Sequence, residues 1–166
     1  MGDPKDGINI LRIGLRQLDL AEFVRQDELL WRSPILATLP EATRLELLGL
    51  GRLRSLRKAE VLLPEAQRPE AVYMVLAGSI VLSTSGGAID LATLGKGEVF
   101  GLAALFDDAV CPAAAAADDE TRVAVLPAET LVELVSDVPE LGKLLVSLAK
   151  ERRARARECA EFFDMW

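Results

Sequence analysis

The middle of the chain, from residue 53 to residue 126, consists of short apolar or β-branched runs separated by turn residues, and this pattern constrains the fold more than any other feature. The runs are Leu53–Leu56, Val61–Leu63, Val72–Leu76, Ile80–Ser83, Ile89–Leu94 and Val123–Leu126. Each is too short for a typical helix and has the length and residue types of a strand. Short strands at such regular spacing are typical of a sandwich or a small barrel. We therefore predict a mainly β domain at the centre of the chain.

Helical periodicity precedes this central domain. Between Ile8 and Trp31, apolar residues recur three or four positions apart, which places them on one face of a helix. Asp19 and Glu22 have the spacing of a capping box, so a helix is predicted to begin at Asp19 and to run toward Trp31. Residues 1–32 are thus expected to form an N-terminal helical extension.

A second helix is predicted just before the strands. The segment TLPE at residues 38–41 has the form of a capping box with proline at the first helical position. It predicts a helix that Gly49 and Gly51 end. The inner face of that helix would carry Leu45, Leu47 and Leu48.

After the last strand the helical period returns, first over Ala128–Val135 and then from Pro139 almost to the end of the chain. We therefore expect a barrel domain at residues 33–138, followed by a long C-terminal helix at residues 139–166.

The net charge and the residue types present argue against several classes of function. The net charge is −7, and because a nucleic-acid binder needs a basic face, no nucleic-acid partner is expected. Histidine is absent, and the sequence has no nucleophile elbow, no P-loop and no spaced metal ligands. Cys111 and Cys159 fit free thiols in a reducing compartment, and no segment reaches the ~20 apolar residues of a membrane helix. We predict a cytoplasmic protein without a secretory leader, a catalytic site, a metal or a cofactor.

Five segments of the chain resemble a known family when taken in order. They are SPILATLPEATRLELL, LRKAEVLLPEA, VYMVLAGSIVLS, LGKGEVFGLAALF and VAVLPAETLVELV. Together they resemble the cyclic-nucleotide-binding domain superfamily, the sensor fold of catabolite-activator/FNR-like regulators and of cyclic-nucleotide-dependent kinase regulatory subunits. The resemblance covers roughly Ser33 to Arg157. It implies a mainly β fold with flanking helices: a jelly-roll β-barrel with N-terminal helices and a long C-terminal helix.

The fourth segment contains the features that would bind a phosphate. Three glycines, Gly95, Gly97 and Gly101, flank the sequence Glu-Val-Phe and precede a short helical segment, Leu102–Phe106. This pattern suits a tight reversal of the chain and a close approach of its backbone to another group. The resemblance implies that such a cassette offers backbone amides to the cyclic phosphate. In the family a glutamate side chain then binds the ribose hydroxyl, and an arginine a few residues later pairs with the phosphate.

Here the sequence departs from the family at those positions. Leu102 stands at the position of the glutamate, and the arginine position falls on Cys111 or Pro112, depending on one gap. Each lost charge-assisted hydrogen bond is worth ~1.5–3 kcal/mol, so the two losses would weaken binding by ~10²–10⁴. Ordinary cAMP or cGMP binding is therefore not expected. The predicted degenerate ligand pocket consists of Gly97, Glu98, Gly101, Leu102, Cys111, Pro112, Ala113 and Ala114.

Other features of this region have a structural interpretation. We favour small side chains that fill the former site over a new apolar pocket for another ligand. Ala59 and Ala66 stand where the family has turn glycines, which predicts altered turns in an intact barrel. Acidic residues at 107–108 and 118–120 are assigned to solvated turns rather than to a metal. A redox role for Cys111 is disfavoured because no basic neighbour in sequence would lower its pKa.

The C-terminal helix has an apolar stripe that could form an interface. Its proposed residues are Leu141, Leu145, Leu148, Cys159, Phe163 and Trp166. Arg152 falls on the same stripe, so the alternative is that the distal half packs against the N-terminal helices. The basic stretch Lys150–Arg157 is interpreted as a solvated helix face.

These observations favour a non-enzymatic regulatory or adaptor protein of a bacterial-type signalling pathway, whose partner is another protein, a second copy of itself, or both. The alternative is a ligand sensor with a rewired pocket for a cyclic nucleotide, a cyclic dinucleotide or an apolar ligand. A transcription factor is disfavoured, since no room follows the long helix for a helix-turn-helix before Trp166.

Overall fold

The computed structural model describes residues 20–106 and 109–164. Residues 20–26 are helical. They are followed by α1 (Glu28–Trp31), α2 (Pro34–Ala37) and α3 (Glu41–Leu50), and the chain ends in α4 (Ala128–Asp137) and α5 (Pro139–Asp164). The strands between them are β1 (Arg52–Leu56), β2 (Val61–Leu63), β3 (Ala71–Ala77), β4 (Ile80–Thr84), β5 (Ile89–Leu94), β6 (Val99–Phe100), β7 (Ala114–Ala117) and β8 (Thr121–Pro127), with a 3₁₀ helix, Leu102–Leu105, between β6 and β7.

The strands form two four-stranded sheets in which every pair is antiparallel. One sheet has the order β1-β8-β3-β6 and the other has the order β2-β7-β4-β5. Consecutive strands therefore alternate between the sheets at several points, as in a jelly roll. The predicted fold class, a β-barrel with N-terminal helices and a long C-terminal helix, is confirmed.

Strand β3 is buried on both faces and divides the apolar interior into two clusters. Val72, Met74 and Leu76 point to one side and pack with the helices, whereas Tyr73 and Val75 point into the barrel. Such a strand lacks the usual alternation of apolar and polar residues because neither face meets water. This accounts for the continuous apolar run AVYMVLA.

Helix α5 contributes to the cluster on the helix side. Its first turns bury Leu141 and Leu145 against the same group of side chains that contains Leu131 of α4 and Leu126 of β8. Two of the leucines proposed for an interface are thus covered by the chain itself. An apolar stripe at helical spacing predicts burial, but it does not say whether the burying surface is internal.

The N-terminal helices differ from the sequence prediction in two places. The helix expected to run through to Trp31 is interrupted at Asp27, which becomes the N-cap of α1 and accepts hydrogen bonds from the backbone N–H groups of Leu29 and Leu30 at 3.1 and 3.3 Å. The predicted start at Asp19 lies outside the described residues, as does the segment 8–18 that precedes it. An internal Asx cap competes with continued helix, which a pattern of leucines does not reveal.

The TLPE segment does not act as the predicted capping box. Pro40 is the N-cap of α3, without a side-chain hydrogen bond, and the Thr38 hydroxyl instead donates to the carbonyl of Ile35 at 2.7 Å at the end of α2. Helix α3 continues through Gly49 and ends at Leu50, with Gly51 as its C-cap. Leu47 and Leu48 are buried as predicted, whereas Leu45 is half-buried.

The two alanines at former glycine positions keep the left-handed backbone. Ala59 has φ 69° and Ala66 has φ 66°, the left-handed region that glycine favours, so the predicted alteration of these turns does not extend to the sign of φ. The Ala59 N–H donates to the carbonyl of Ala117 at 2.8 Å, and the Ala66 N–H donates to that of Cys111 at 2.9 Å. These hydrogen bonds tie both turns to the β7 region and hold the alanines in a conformation that costs an L-residue about 1–2 kcal/mol.

Candidate ligand pocket

The turn between β5 and β6 is fixed by backbone hydrogen bonds. The Gly97 N–H donates to the carbonyl of Val75 at 2.8 Å, and a carboxylate oxygen of Glu98 accepts from the Gly95 N–H at 2.6 Å. Gly97 has φ +85°, and a Cβ there would lie 3.0 Å from the Cβ of Ser33. Gly97 therefore packs against the N-terminal helical layer.

Gly101 places the next segment over the barrel. It has φ +79° and caps the 3₁₀ helix, and a Cβ there would lie 2.9 Å from the carbonyl oxygen of Ala71. Only glycine meets both requirements without strain. The buried Leu102 follows directly, and Phe100 before it stacks on Tyr73 with ring centroids 5.2 Å apart.

A cavity of about 350 Å³ lies between this segment, the sheet β2-β7-β4-β5 and α5. Six of the eight predicted pocket residues line it: Glu98, Gly101, Leu102, Cys111, Pro112 and Ala113. The other two do not, since Gly97 faces Ser33 and Ala114 lies on the half-buried outer side of β7. The expectation that small side chains fill the former site is wrong, because alanines leave volume where larger residues would close it.

The walls of the cavity are predominantly apolar. The additional wall residues include Leu63, Leu82, Leu91, Leu94, Phe100 and Ala115. These come from β2, β4, β5, β6 and β7 and include inward-facing residues of the barrel. An apolar cavity with few polar groups is the usual form of a small-molecule site.

The charged groups at the cavity include side chains of α5 that the sequence analysis did not assign to it. Leu148, Glu151, Arg152 and Arg155 all line the cavity. Leu148, Arg152 and Arg155 are four and three positions apart, so they share one face of the helix. The sequence places Arg152 on the apolar stripe of α5, but it does not show that this part of the stripe lines a cavity of the same chain and does not contact a partner protein.

Arg152 connects α5 to the β6 region. Its guanidinium donates a hydrogen bond to the carbonyl of Val99 and is half-buried. Burial lowers the pKa of Arg152, which the nearby carboxylates of Glu98 and Glu151 partly oppose. Arg155 is exposed and donates to the carbonyl of Leu91 at 3.3 Å. The interpretation of this stretch as a wholly solvated face is therefore wrong for Arg152.

Cys111 is 4% exposed and lines the cavity together with Pro112, the other residue at which the resemblance places the family's arginine. Its N–H donates to the carbonyl of Gln67 at 2.8 Å, and its own carbonyl accepts from Ala66. Burial raises the pKa of the Cys111 thiol, which keeps it protonated at neutral pH. A protonated thiol is a poor nucleophile, which argues against a redox role for Cys111.

The remaining predicted interface residues lie in different settings. Leu148 faces the cavity and Cys159 is half-buried. The side chain of Phe163, all of Trp166 and the acidic pair at 107–108 lie outside the described residues. The interface itself stays a prediction.

The described part of the chain lacks a membrane-spanning helix and a cluster of metal-binding side chains. None of its helices is both long enough and apolar enough to cross a membrane. Within the same residues, no cluster of three or more histidine, cysteine, aspartate or glutamate side chains could hold a metal ion.

A family model described as the cyclic nucleotide-binding domain matches residues 53–137, from β1 to the end of α4. That segment includes the turn at Gly97, the 3₁₀ helix and the loop of Cys111. Comparison with the curated proteins gave no match.

Several solved structures share the fold. Cyclic-AMP-bound PfPKA-R superposes with a TM-score of 0.71 at 17% identity, over 89% of this chain and 49% of that one. The regulatory subunit of a cAMP-independent protein kinase A from Trypanosoma brucei gives 0.70 at 16%, over 87% and 50%, and a substituted form of it is described as bound to cAMP in the A site. The sensor domain of the transcriptional regulator DNR from Pseudomonas aeruginosa gives 0.66 at 20%, over 84% and 95%. This chain spans about half the length of the two kinase-subunit structures, and identities this low establish the fold alone.

Proposed function

This chain belongs to the cyclic nucleotide-binding domain family, and we propose that it is a non-enzymatic regulatory domain that acts by contacting another protein and does not take cAMP or cGMP as its ordinary ligand. The observation that carries the proposal is the chemistry of the pocket wall. Leu102 lines the cavity where the resemblance places the family's glutamate, and Cys111 and Pro112, the two candidates for the arginine position, line it as well. This part of the wall gives a ribose hydroxyl and a cyclic phosphate none of the charged partners of the family pattern, and the cations at the cavity, Arg152 and Arg155, come from α5 instead.

The position of α5 supports the same conclusion. In the described residues α5 already packs on the barrel, with Arg152 hydrogen-bonded to the carbonyl of Val99 and Leu148 facing the cavity. The helix that borders the pocket thus has its own attachment to the β6 region. A domain built in this way can present a fixed surface to a partner without a nucleotide.

The Trypanosoma brucei structures offer an analogy at the level of the fold. One is described as the regulatory subunit of a cAMP-independent kinase, and a form with three substitutions is described as bound to cAMP. By analogy, a domain of this fold can serve in a cAMP-independent regulatory subunit, and a substituted form of that subunit can hold cAMP. We propose that the present chain is of that kind.

Calorimetric titration tests the nucleotide part of the proposal. The native chain is expected to show no saturable heat with cAMP, cGMP or cyclic di-GMP, and a Kd below about 100 µM for any of them would contradict the proposal. Leu102→Glu combined with Cys111→Arg restores both charges in the cavity and is expected to bind cAMP measurably. Leu50→Glu combined with Val61→Arg is the matched control, because it makes a similar change at exposed positions outside the cavity.

The protein-contact part is tested by affinity capture from the source cells. Val132 of α4 and Val146 of α5, the helix that borders the cavity, are exposed apolar side chains. We expect Val146→Glu to lose one specific partner that the native chain retains, whereas Leu29→Glu, an exposed change on α1, retains it. Unchanged recovery with Val146→Glu would exclude this surface, and sedimentation equilibrium would identify a second copy of the chain as the partner.

A further inference from the structure

The cavity keeps a volume that a small molecule can use. At about 350 Å³ it lies within the range of roughly 300–1,000 Å³ that is typical of small-molecule sites. Its inner wall is formed by large apolar side chains such as Leu63, Leu82 and Phe100, with Leu102 above them. Such a wall favours an apolar ligand body, since desolvating a polar one would not be compensated.

Arg152 at the same cavity has unused hydrogen-bonding capacity. A guanidinium has five N–H donors, and the described residues give Arg152 one hydrogen bond, to the carbonyl of Val99. The ion pairs found within residues 20–106 and 109–164 do not include Arg152 or Arg155. Burial of the charged guanidinium has a desolvation cost, and this cost lowers the pKa of Arg152. An anion at the cavity would offset that cost.

The charges around the cavity indicate how many negative charges it accepts. Arg152 and Arg155 contribute two cations, and Glu98 and Glu151 contribute two carboxylates. A carboxylate oxygen of Glu98 is already occupied by the Gly95 N–H. Since the formal charges of these four side chains sum to zero, a monoanion fits better than a dianion such as a phosphate monoester. The apolar wall disfavours the polar sugar of a cyclic nucleotide, which is also a monoanion.

We propose that the cavity binds an apolar molecule with a single carboxylate, whose carboxylate pairs with Arg152, with Arg155 at the rim, and whose apolar body lies against Leu82, Phe100 and Leu102. The inference deepens the proposed function and rests on it, because a pocket that held a cyclic nucleotide would be filled. A guanidinium can hold a carboxylate and keep the Val99 carbonyl as well. Binding would then add to the attachment of α5 to the barrel and link a ligand to the surface offered to a partner.

The probe for this proposal is decanoate, compared with decanol, which has the same chain without the charge. Isothermal calorimetry below the micelle concentration is expected to show one decanoate per chain and at least tenfold weaker binding of decanol. Arg152→Met removes the charge and retains much of the packing, and is expected to weaken decanoate binding at least tenfold while leaving decanol binding unchanged. Arg155→Met should weaken it about two- to fivefold, because an exposed pair contributes less. Arg153→Met is the matched control, since Arg153 lies on the same helix but outside this cavity.

Equal binding of decanoate and decanol would overturn the proposal, and so would native-like decanoate affinity in Arg152→Met. Binding of several decanoate molecules without saturation would do the same, since it would show detergent-like adsorption. If Arg152→Met does not fold, an unchanged decanoate affinity in Arg155→Met would overturn the proposal, and a weakened affinity would support it. The cAMP titration of the native chain is a separate measurement, so a failure of the decanoate proposal can be told apart from a failure of the proposed function.

Discussion

The two faces of β3 border regions that are packed in different ways. On the helix side, Val72, Met74 and Leu76 join a cluster of large side chains from the helices, and most of its members are fully buried. On the barrel side, the facing strand β7 supplies only alanines, and a cavity of about 350 Å³ remains. Dense packing on one side holds the fold together, and this allows the other side to keep an open volume without loss of the barrel.

The largest expected effect comes from comparing one leucine on each side. Leu76 lies in the helix-side cluster at 0% exposure, whereas Leu82 lines the cavity at 6%. Leu76→Ala is expected to lower the free energy of unfolding by about 4 kcal/mol and Leu82→Ala by about 2 kcal/mol, because a side chain next to a void has fewer contacts to lose. Urea denaturation of both variants measures the difference. Equal losses would show that the two regions are packed alike.

Two buried alanines test the same comparison when a larger side chain replaces each of them. Ala115 of β7 faces the cavity, whereas Ala124 of β8 lies in the helix-side cluster. Ala115→Val is expected to be neutral or to stabilise the protein by about 1 kcal/mol, since it fills existing volume and valine favours strands. Ala124→Val should destabilise it by about 1–3 kcal/mol by overpacking. Thermal unfolding followed by circular dichroism separates the two outcomes, and a destabilising Ala115→Val would mean that the cavity does not extend to β7.

The alanines in left-handed turns give a smaller effect. At Ala66, with φ 66°, substitution by glycine removes the steric cost of the Cβ but adds entropy to the unfolded chain. The difference is expected to stabilise the protein by about 0.5 kcal/mol. Ala88→Gly is the control, because Ala88 is exposed in the β4–β5 turn and is not among the residues with positive φ. It should destabilise the protein slightly, and the same sign for both variants would contradict this account.

The strands were easier to predict than the site. Six of the eight strands follow from runs rich in β-branched and other apolar residues, whereas β6 has only two residues and β7 is made of alanines, which are poor strand formers. The alanine strand forms because β2 and β4 pair with it on both sides. Tertiary pairing of this kind overrides local propensity and cannot be inferred from the alanine run itself.

The cassette side of the pocket could also be predicted, since its residues are close together in the sequence. The α5 side could not, because Arg152 and the carbonyl of Val99 are far apart along the chain and meet only after the helix has packed. The charge of Arg152 is visible in the sequence, but the direction in which it points depends on the angle between α5 and the barrel. The prediction therefore identified the charges that the pocket has lost and not the ones that border it now.

The smallest expected effect concerns the contact that joins the two regions, between Asp27 of the helical layer and Lys96 of the β5–β6 turn, with Oδ2 and Nζ 2.6 Å apart. The hydrogen bond from Lys96 is the largest cause of the lowered pKa of Asp27, whose usual value is 3.8. Desolvation acts in the opposite direction and is the next largest effect, and the Leu30 N–H, the charge of Lys96 and the Leu29 N–H lower the pKa further. The unfolded chain therefore binds a proton more readily than the folded one. The resulting stability is present in full above pH 3.8 and is lost as the pH falls through the folded-state pKa.

Asp27→Asn keeps an N-cap acceptor and removes the charge, so it isolates the electrostatic part. Because the pair is partly exposed, the variant is expected to be less stable than the native chain by less than about 0.5 kcal/mol at pH 7. The two stabilities should converge between pH 4 and pH 2 in urea denaturation, since a protonated Asp27 resembles the asparagine. A gap that persisted at pH 2 would mean that Asp27 acts through its shape at the helix start, and that the charge of Lys96 does not help to hold the helical layer against the turn beside the cavity.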